Sequence, residues 1–302
     1  MRIDNADCAA LSKRRIEDIN AHIKGTISPS LYLAAYYAPK QYPLSGSNDG
    51  LFWCAVTNTY GLFRDCMPRL YGNDNSLIDV FVRNGILADE VAEEIRSIVI
   101  LVDALRSVYA HNANPTVASN AKAKIRITFG YFKETVPDYD FDDTDDEDVF
   151  IIPSFSANEW FCCFESICNC IGNCLDSLDA IIPAIGHDSR KTEITNDWVG
   201  IMAEWVNSKF LFSAVKNKLA GQDRFIRNGM GPSNAFVKNE VDELKKRIIE
   251  QEGVDLNKER NETEERYTSR CLRMASSRVI HSMKTPALPY DVISMLYDTY
   301  HA

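Results

Sequence analysis

An all-α bundle is the fold class this sequence predicts, and three observations carry that expectation. Apolar residues recur at spacings of three and four over several long stretches, the period of a helix with one buried stripe. Those stretches are bounded by charge, glycine, asparagine and proline in the arrangement that starts and stops helices. A composition of 45% apolar and 10% aromatic residues in 302 is rich enough to bury a core and excludes a disordered chain.

Residues from about Asp4 to Lys24 read as a first helix, with Ile16, Ile19 and Ile23 on one side and Gly25 after it. Pro29, Pro39, Pro43 and the run Ser45 to Gly50 then mark a loop-rich connection around the segment YLAAYY. A second helix is expected from Leu51 to Leu70, with Pro68 near its end, and a short one from Leu77 to Asn84, stopped by Gly85. The stretch from Asp89 to Pro115 is the clearest. Val91, Ile95, Ile98, Val102, Leu105 and Tyr109 form its stripe, and Asp89, Glu90, Glu93 and Glu94 crowd the first turns, where negative charge suits the exposed N–H groups. Asn112, Asn114 and Pro115 end it.

A further helix is expected from about Ala118 to Glu134, although ITFGYF within it holds β-formers and a glycine. FIIP reads as one extended segment. Helices are then expected over Ala157 to Ile185 and Glu193 to Ala220. In the last third, Asn234 to Gln251 and about Asn257 to Met283 are charged on most faces, the signature of peripheral or partner-pairing helices, and a short helix covers Tyr290 to Tyr300. No fixed-period repeat is present, which argues against a solenoid. We therefore expect a helical region over 1–137, an acidic linker over 138–148, and a second helical half over 149–302 that completes the same bundle or adds charged peripheral helices.

The formal net charge of −10 opposes a nucleic-acid role at first sight, but the segment Asp138 to Asp148 holds eight carboxylates and no Lys or Arg. The rest of the chain is close to neutral, so a local basic site remains open. The N-terminus lacks the apolar run of a secretory signal, and no segment approaches the roughly 20 apolar residues of a membrane span, so a cytoplasmic location and no membrane partner are expected. Nine cysteines, five of them between Cys162 and Cys174, suit reduced thiols better than a disulfide framework.

The last turns of the 89–115 helix depart from core chemistry. Arg106, Ser107, His111 and Asn112 stand where further stripe residues would be, and Asp103 lies one turn before the arginine. Arg106-Ser-Val-Tyr-Ala-His111-Asn112 resembles the Arg-x4-His motif of the HEPN superfamily, helical-bundle proteins that include many metal-independent ribonucleases of toxin, abortive-infection and CRISPR systems. The Ala-His-Asn ending matches the family's frequent one, while Ser107 replaces its frequent Asn. The firm match covers about ten residues, and a looser likeness extends over the N-terminal half. The resemblance implies an endoribonuclease acting on RNA in antiviral defence or as a toxin, with Arg106 and His111 as its reacting pair and Asp103, Ser107 and Asn112 in support.

The residue types suit that chemistry. Breaking an RNA strand without a metal needs a group that takes the 2′-hydroxyl proton or protonates the leaving oxygen, and histidine titrates nearest neutrality. A planar guanidinium grips the scissile phosphate at two points as charge develops on it. Residues five apart on an ideal helix lie about 140° apart around the axis, so one helix does not aim both at one point. The resemblance implies that two copies of the motif line one cleft, hence a homodimer. The residues also fit a plainer arrangement, in which Arg106 pairs with Asp103 and His111 caps the last carbonyls.

Other clusters weigh less. Cys163, Cys170 and Cys174 lie near one helical face, but without a Cys-x2-Cys pair they read as buried core thiols rather than a zinc site. The acidic run lacks the glycine and terminal glutamate of a calcium loop. Neither a cofactor nor a metal is expected. Lys245, Lys246, Arg247, Arg266, Arg270, Arg273 and Arg278 offer basic patches, yet they sit among Glu240, Asp242, Glu243, Glu264 and Glu265 and read as mixed-charge faces. The competing class is a non-catalytic interaction or scaffold protein that binds a regulatory protein partner through these charged C-terminal helices.

Overall fold

A computed structural model describes residues 8–40, 47–71, 75–110, 131–137, 155–222, 225–226, 231–256 and 258–301. Among them the regular elements are all helical: α1 (Lys13–Thr26), α2 (Asn48–Tyr60), α3 (Leu77–Arg83), α4 (Asp89–Ala110), α5 (Ala157–His187), α6 (Lys191–Ala220), α7 (Asn234–Glu252), α8 (Glu264–Ser282) and α9 (Pro289–His301). The chain forms two compact units, one of Met1–Ile19, Tyr36–Met67 and Gly85–Ile181, the other of Asn20–Ala35, Pro68–Asn84 and Ile182–Ala302. Each draws on residues from both sides of the 138–148 run, so the units do not coincide with the 1–137 and 149–302 halves of the chain.

In the first unit α2 packs against α4. The stripe expected on α4 is buried at Ile95, Ile98, Val102 and Leu105. An aromatic cluster gathers Phe52 and Trp53 of α2, Trp160 of α5, Phe132 and Phe155, with Phe52 and Trp160 centroids 5.2 Å apart and Phe52 and Phe132 5.6 Å apart. Edge-on and tilted pairs of this kind each add a little beyond the area they bury. The N-terminal segment follows α5: a 3-10 turn at Ala9–Leu11 brings Ala10 against Gly172, and Arg15 reaches Asp176 at 2.6 Å and Asp179 at 3.2 Å. The helix expected from Asp4 is thus a 3-10 turn followed by α1, with residues before 8 outside the described ones.

The second expected helix is also interrupted. α2 ends at Tyr60 and the chain continues as a π-helix over Gly61–Cys66, after which Met67 turns extended. Pro68, which disfavours helical backbone in the residue before it, fixes that stop. The helix expected over 118–134 lies mostly outside the described residues, and 131–137 is a series of turns; the FIIP segment and the acidic run lie outside entirely.

In the second unit α6 is buried around much of its circumference, through Ile194, Trp198, Val199, Met202, Trp205, Val206 and Val215, and it packs against α3, α7, α8 and α9. α3 starts with a capping box in which Ser76 and Asp79 exchange side-chain to backbone hydrogen bonds, and it stops at Gly85, whose φ of +67° suits the missing Cβ. Ser233 and Thr263 cap α7 and α8 more simply, each side-chain oxygen accepting from the backbone N–H three residues on, at Phe236 and Arg266. The cap at Thr263 explains why α8 begins seven residues later than the charge pattern suggested. Leu31 to Ala35, expected as loop, is non-helical yet no more than 3% exposed. Asn20 holds it, donating to Ala34 O and accepting from Leu33 N, both at 2.8 Å.

Candidate functional site

The end of α4 lies beside the π turn that follows α2, and the polar residues of both meet there. A π-helix winds wider than an α-helix and recurs at functional sites. Here it carries Arg64, whose Nε donates to Asp103 Oδ1 at 2.9 Å while its Nη2 engages Oδ2. One turn further along α4, the Arg106 guanidinium carbon lies 4.4 Å from the centroid of Tyr60, the last residue of α2. Ser107 turns its hydroxyl back on its own helix, donating to Asp103 O at 2.7 Å.

The outcome for each expected residue follows from these contacts. Asp103 is engaged by Arg64 rather than by Arg106, both as supporting group and as plain ion-pair partner. The Arg106 guanidinium carbon faces the Tyr60 ring, and among the described residues no carboxylate pairs with it. Ser107 serves the helix backbone. His111 and Asn112 lie outside the described residues. Arg64 and Tyr60 are the members that the sequence did not reveal, because nothing local marks a partner 39 residues away. The Arg64 and Asp103 side chains are each about a third exposed, 32% and 31%, so their pair is screened and its value is positional. Together the site offers two guanidiniums, one carboxylate and one aromatic ring, a set that suits a phosphodiester with a base beside it.

Compared with protein-family models, curated proteins and solved structures, the chain matches none.

The cysteines of α5 divide by burial. Cys163 and Cys174 are 0% and 2% exposed, and Cys170 shares a hydrogen bond with the Tyr131 hydroxyl at 2.8 Å. None of the nine cysteines is in a disulfide, and among the described residues no group of three or more His, Cys, Asp or Glu side chains converges as a metal site would. Burial pushes the Cys163 and Cys174 thiols from 9.0 up to about 12. Unfolded thiols ionise around pH 9 while these two keep their protons to about 12, so the stability they contribute is full below pH 9 and is lost as pH rises toward 12. Urea midpoints measured from pH 8 to 11 should fall, and less steeply in Cys163→Ala; an equal slope would remove the thiols from the account.

Most of the basic residues singled out on α7 and α8 are paired. Arg270 meets Glu262 at 2.8 Å, Arg273 meets Glu204 at 2.8 Å, and Arg278 meets Glu252 at 2.7 Å and Asp255 at 3.1 Å. Lys245 and Arg247 pair along α7 with Asp242 and Glu243. Among the described residues no helix is long and apolar enough to cross a membrane.

Proposed function

We propose that this chain is a metal-independent endoribonuclease of the HEPN type, with Arg106 as the phosphate-gripping cation and His111 as the proton-transfer group of a site shared by two copies of the chain. The observation that supports the reading is the seat of Arg106. Its guanidinium carbon lies 4.4 Å from the Tyr60 ring centroid, while Asp103 is taken by Arg64. In this reading the 2′-hydroxyl attacks phosphorus, the bond to the 5′-oxygen breaks, and His111 takes the first proton or delivers one to the leaving oxygen. Products are a 2′,3′-cyclic phosphate and a 5′-hydroxyl, and DNA, which lacks the attacking group, is not cut. Arg64 and Arg106 would hold the phosphate, and Tyr60 would brace the plane of Arg106. The setting, prokaryotic defence or a toxin system, rests on the likeness of the motif.

The alternative, a scaffold that pairs its C-terminal helices with a partner, has less to work with. The apolar stripe of α7, at Val237, Val241, Leu244 and Ile248, and that of α8, at Cys271, Leu272, Ala275 and Val279, are buried within their own unit. Only charged faces remain for such a partner.

The test is cleavage of single-stranded RNA in EDTA. Wild-type chain is expected to cut, His111→Ala to be inactive with an unchanged circular dichroism spectrum, and sedimentation to give about twice the 34.1 kDa chain mass. Cleavage by His111→Ala at the wild-type rate would overturn the assignment.

A further inference from the structure

The second unit holds an open cleft of about 510 Å³ that the nuclease reading does not use. Three helices each contribute one stripe to it: Val80 and Arg83 from α3, Asn196, Asp197 and Gly200 from α6, and Arg270, Arg273, Met274 and Ser277 from α8, with Leu256 at the side. The residues facing the cleft thus include three guanidiniums and one carboxylate. Arg83 contacts Asp197 at 2.7 Å, and Arg273 contacts Glu204, whose other oxygen takes Arg69 at 2.8 Å. A guanidinium carries five N–H donors, more than one carboxylate can accept, so such pairs orient an arginine without exhausting it.

Gly200 bears on the volume of the same cleft. Glycine within a helix costs of order 1 kcal/mol relative to alanine and is normally explained by a close neighbour. Among the described residues nothing lies within 4 Å of a Cβ built at Gly200, so packing does not demand glycine there. What the missing side chain leaves is cleft volume.

The geometry points to a binding site for a nucleoside polyphosphate in this cleft. Arg83 and Arg273 are each held through one nitrogen, to Asp197 and Glu204, while Arg270 gives Nε and Nη2 to Glu262, so a phosphate chain would meet the remaining N–H donors of Arg83 and Arg273, and planar bidentate contact is the mode in which arginine binds phosphate. The volume exceeds what inorganic phosphate needs and lies in the range of small-molecule sites. Val80, Leu256 and Met274 give the apolar contact that a base requires, and Asn196 and Ser277 give polar contacts for a sugar.

Titration calorimetry with ATP, pyrophosphate and adenosine, each added separately to the full chain, tests the site. ATP is expected to bind once per chain, pyrophosphate at least tenfold more weakly, and adenosine undetectably. Arg273→Gln, which removes a guanidinium, and Gly200→Met, which fills the cleft and keeps every arginine, should each weaken ATP at least tenfold while helicity is unchanged. Absence of ATP binding to the wild type, or equal ATP affinity in both folded variants, would overturn the proposal; equal affinity for pyrophosphate would overturn its nucleoside part. RNA cleavage by Arg106 and His111 is read separately, and neither result bears on the other.

Discussion

Exchange of Arg106 for lysine should lower the rate of RNA cleavage by about 100-fold, although the charge is kept. Lysine offers a point charge on a flexible stem, while the guanidinium offers a planar fork, and only the fork can hold two phosphate oxygens as charge builds on them. The seat on Tyr60 sharpens the expectation. With the guanidinium carbon 4.4 Å from the ring centroid, the ring restricts the plane in which the fork lies, which an ammonium cannot exploit. Tyr60→Phe should therefore cut at close to the wild-type rate, and Tyr60→Leu should lose roughly tenfold, a loss of about 1.4 kcal/mol in the barrier. Single-turnover cleavage of a short RNA would measure all three. Full activity in Arg106→Lys would mean that the phosphate is held elsewhere, and equal losses in Tyr60→Phe and Tyr60→Leu would mean that the hydroxyl rather than the ring matters.

Glu252→Ala is expected to destabilise the second unit by about 3 kcal/mol. The Glu252 side chain is 3% exposed at the end of α7, and it accepts from Arg278 of α8 and from the buried Tyr300 hydroxyl of α9. One carboxylate thus fastens three helices. Its removal leaves the Tyr300 hydroxyl without that acceptor in a dry place, and burial together with the bond to Glu252 already holds that hydroxyl well above the usual tyrosine range. Arg278 is 54% exposed and keeps Asp255, so its half of the loss is partly recovered by water. Glu252→Gln, which can still accept from Tyr300, should cost about half as much. Urea unfolding followed by circular dichroism would check both, and a loss under about 1 kcal/mol in Glu252→Ala would show that the contact contributes little.

Much of the fold was legible because helix period and helix punctuation are local. The stripe of α4, the starts of α5, α6 and α7 within a few residues, and the stop at Gly85 all follow from spacing, charge and caps that neighbours in sequence supply. The misses share a cause. The buried segment Leu31 to Ala35 looked like loop because its hydrogen-bond partners are remote or lie on another element: the Asn20 side chain holds its backbone, and Ala287 O accepts from the Tyr32 hydroxyl. The π turn at Gly61–Cys66 arises from the run into Met67 and Pro68, and no periodicity announces a turn widened by one residue.

The candidate site divides along the same line. The sequence by itself determined that Arg106 stands in the last turns of an amphipathic helix, since period and punctuation are local. It also determined that an acid stands one turn before the arginine. Only the tertiary structure decided which acid and which cation meet. Asp103 goes to Arg64 and Arg106 goes to Tyr60, because the end of α2 and the π turn that follows it bring Tyr60 and Arg64 to the end of α4. Helical period states which residues share a face, whereas the identity of what faces them depends on packing between elements far apart in the chain. The same reason separates Arg270 and Arg273, which the sequence showed as part of a mixed-charge face, from the cleft they share with Arg83 and Gly200 once three helices are folded together.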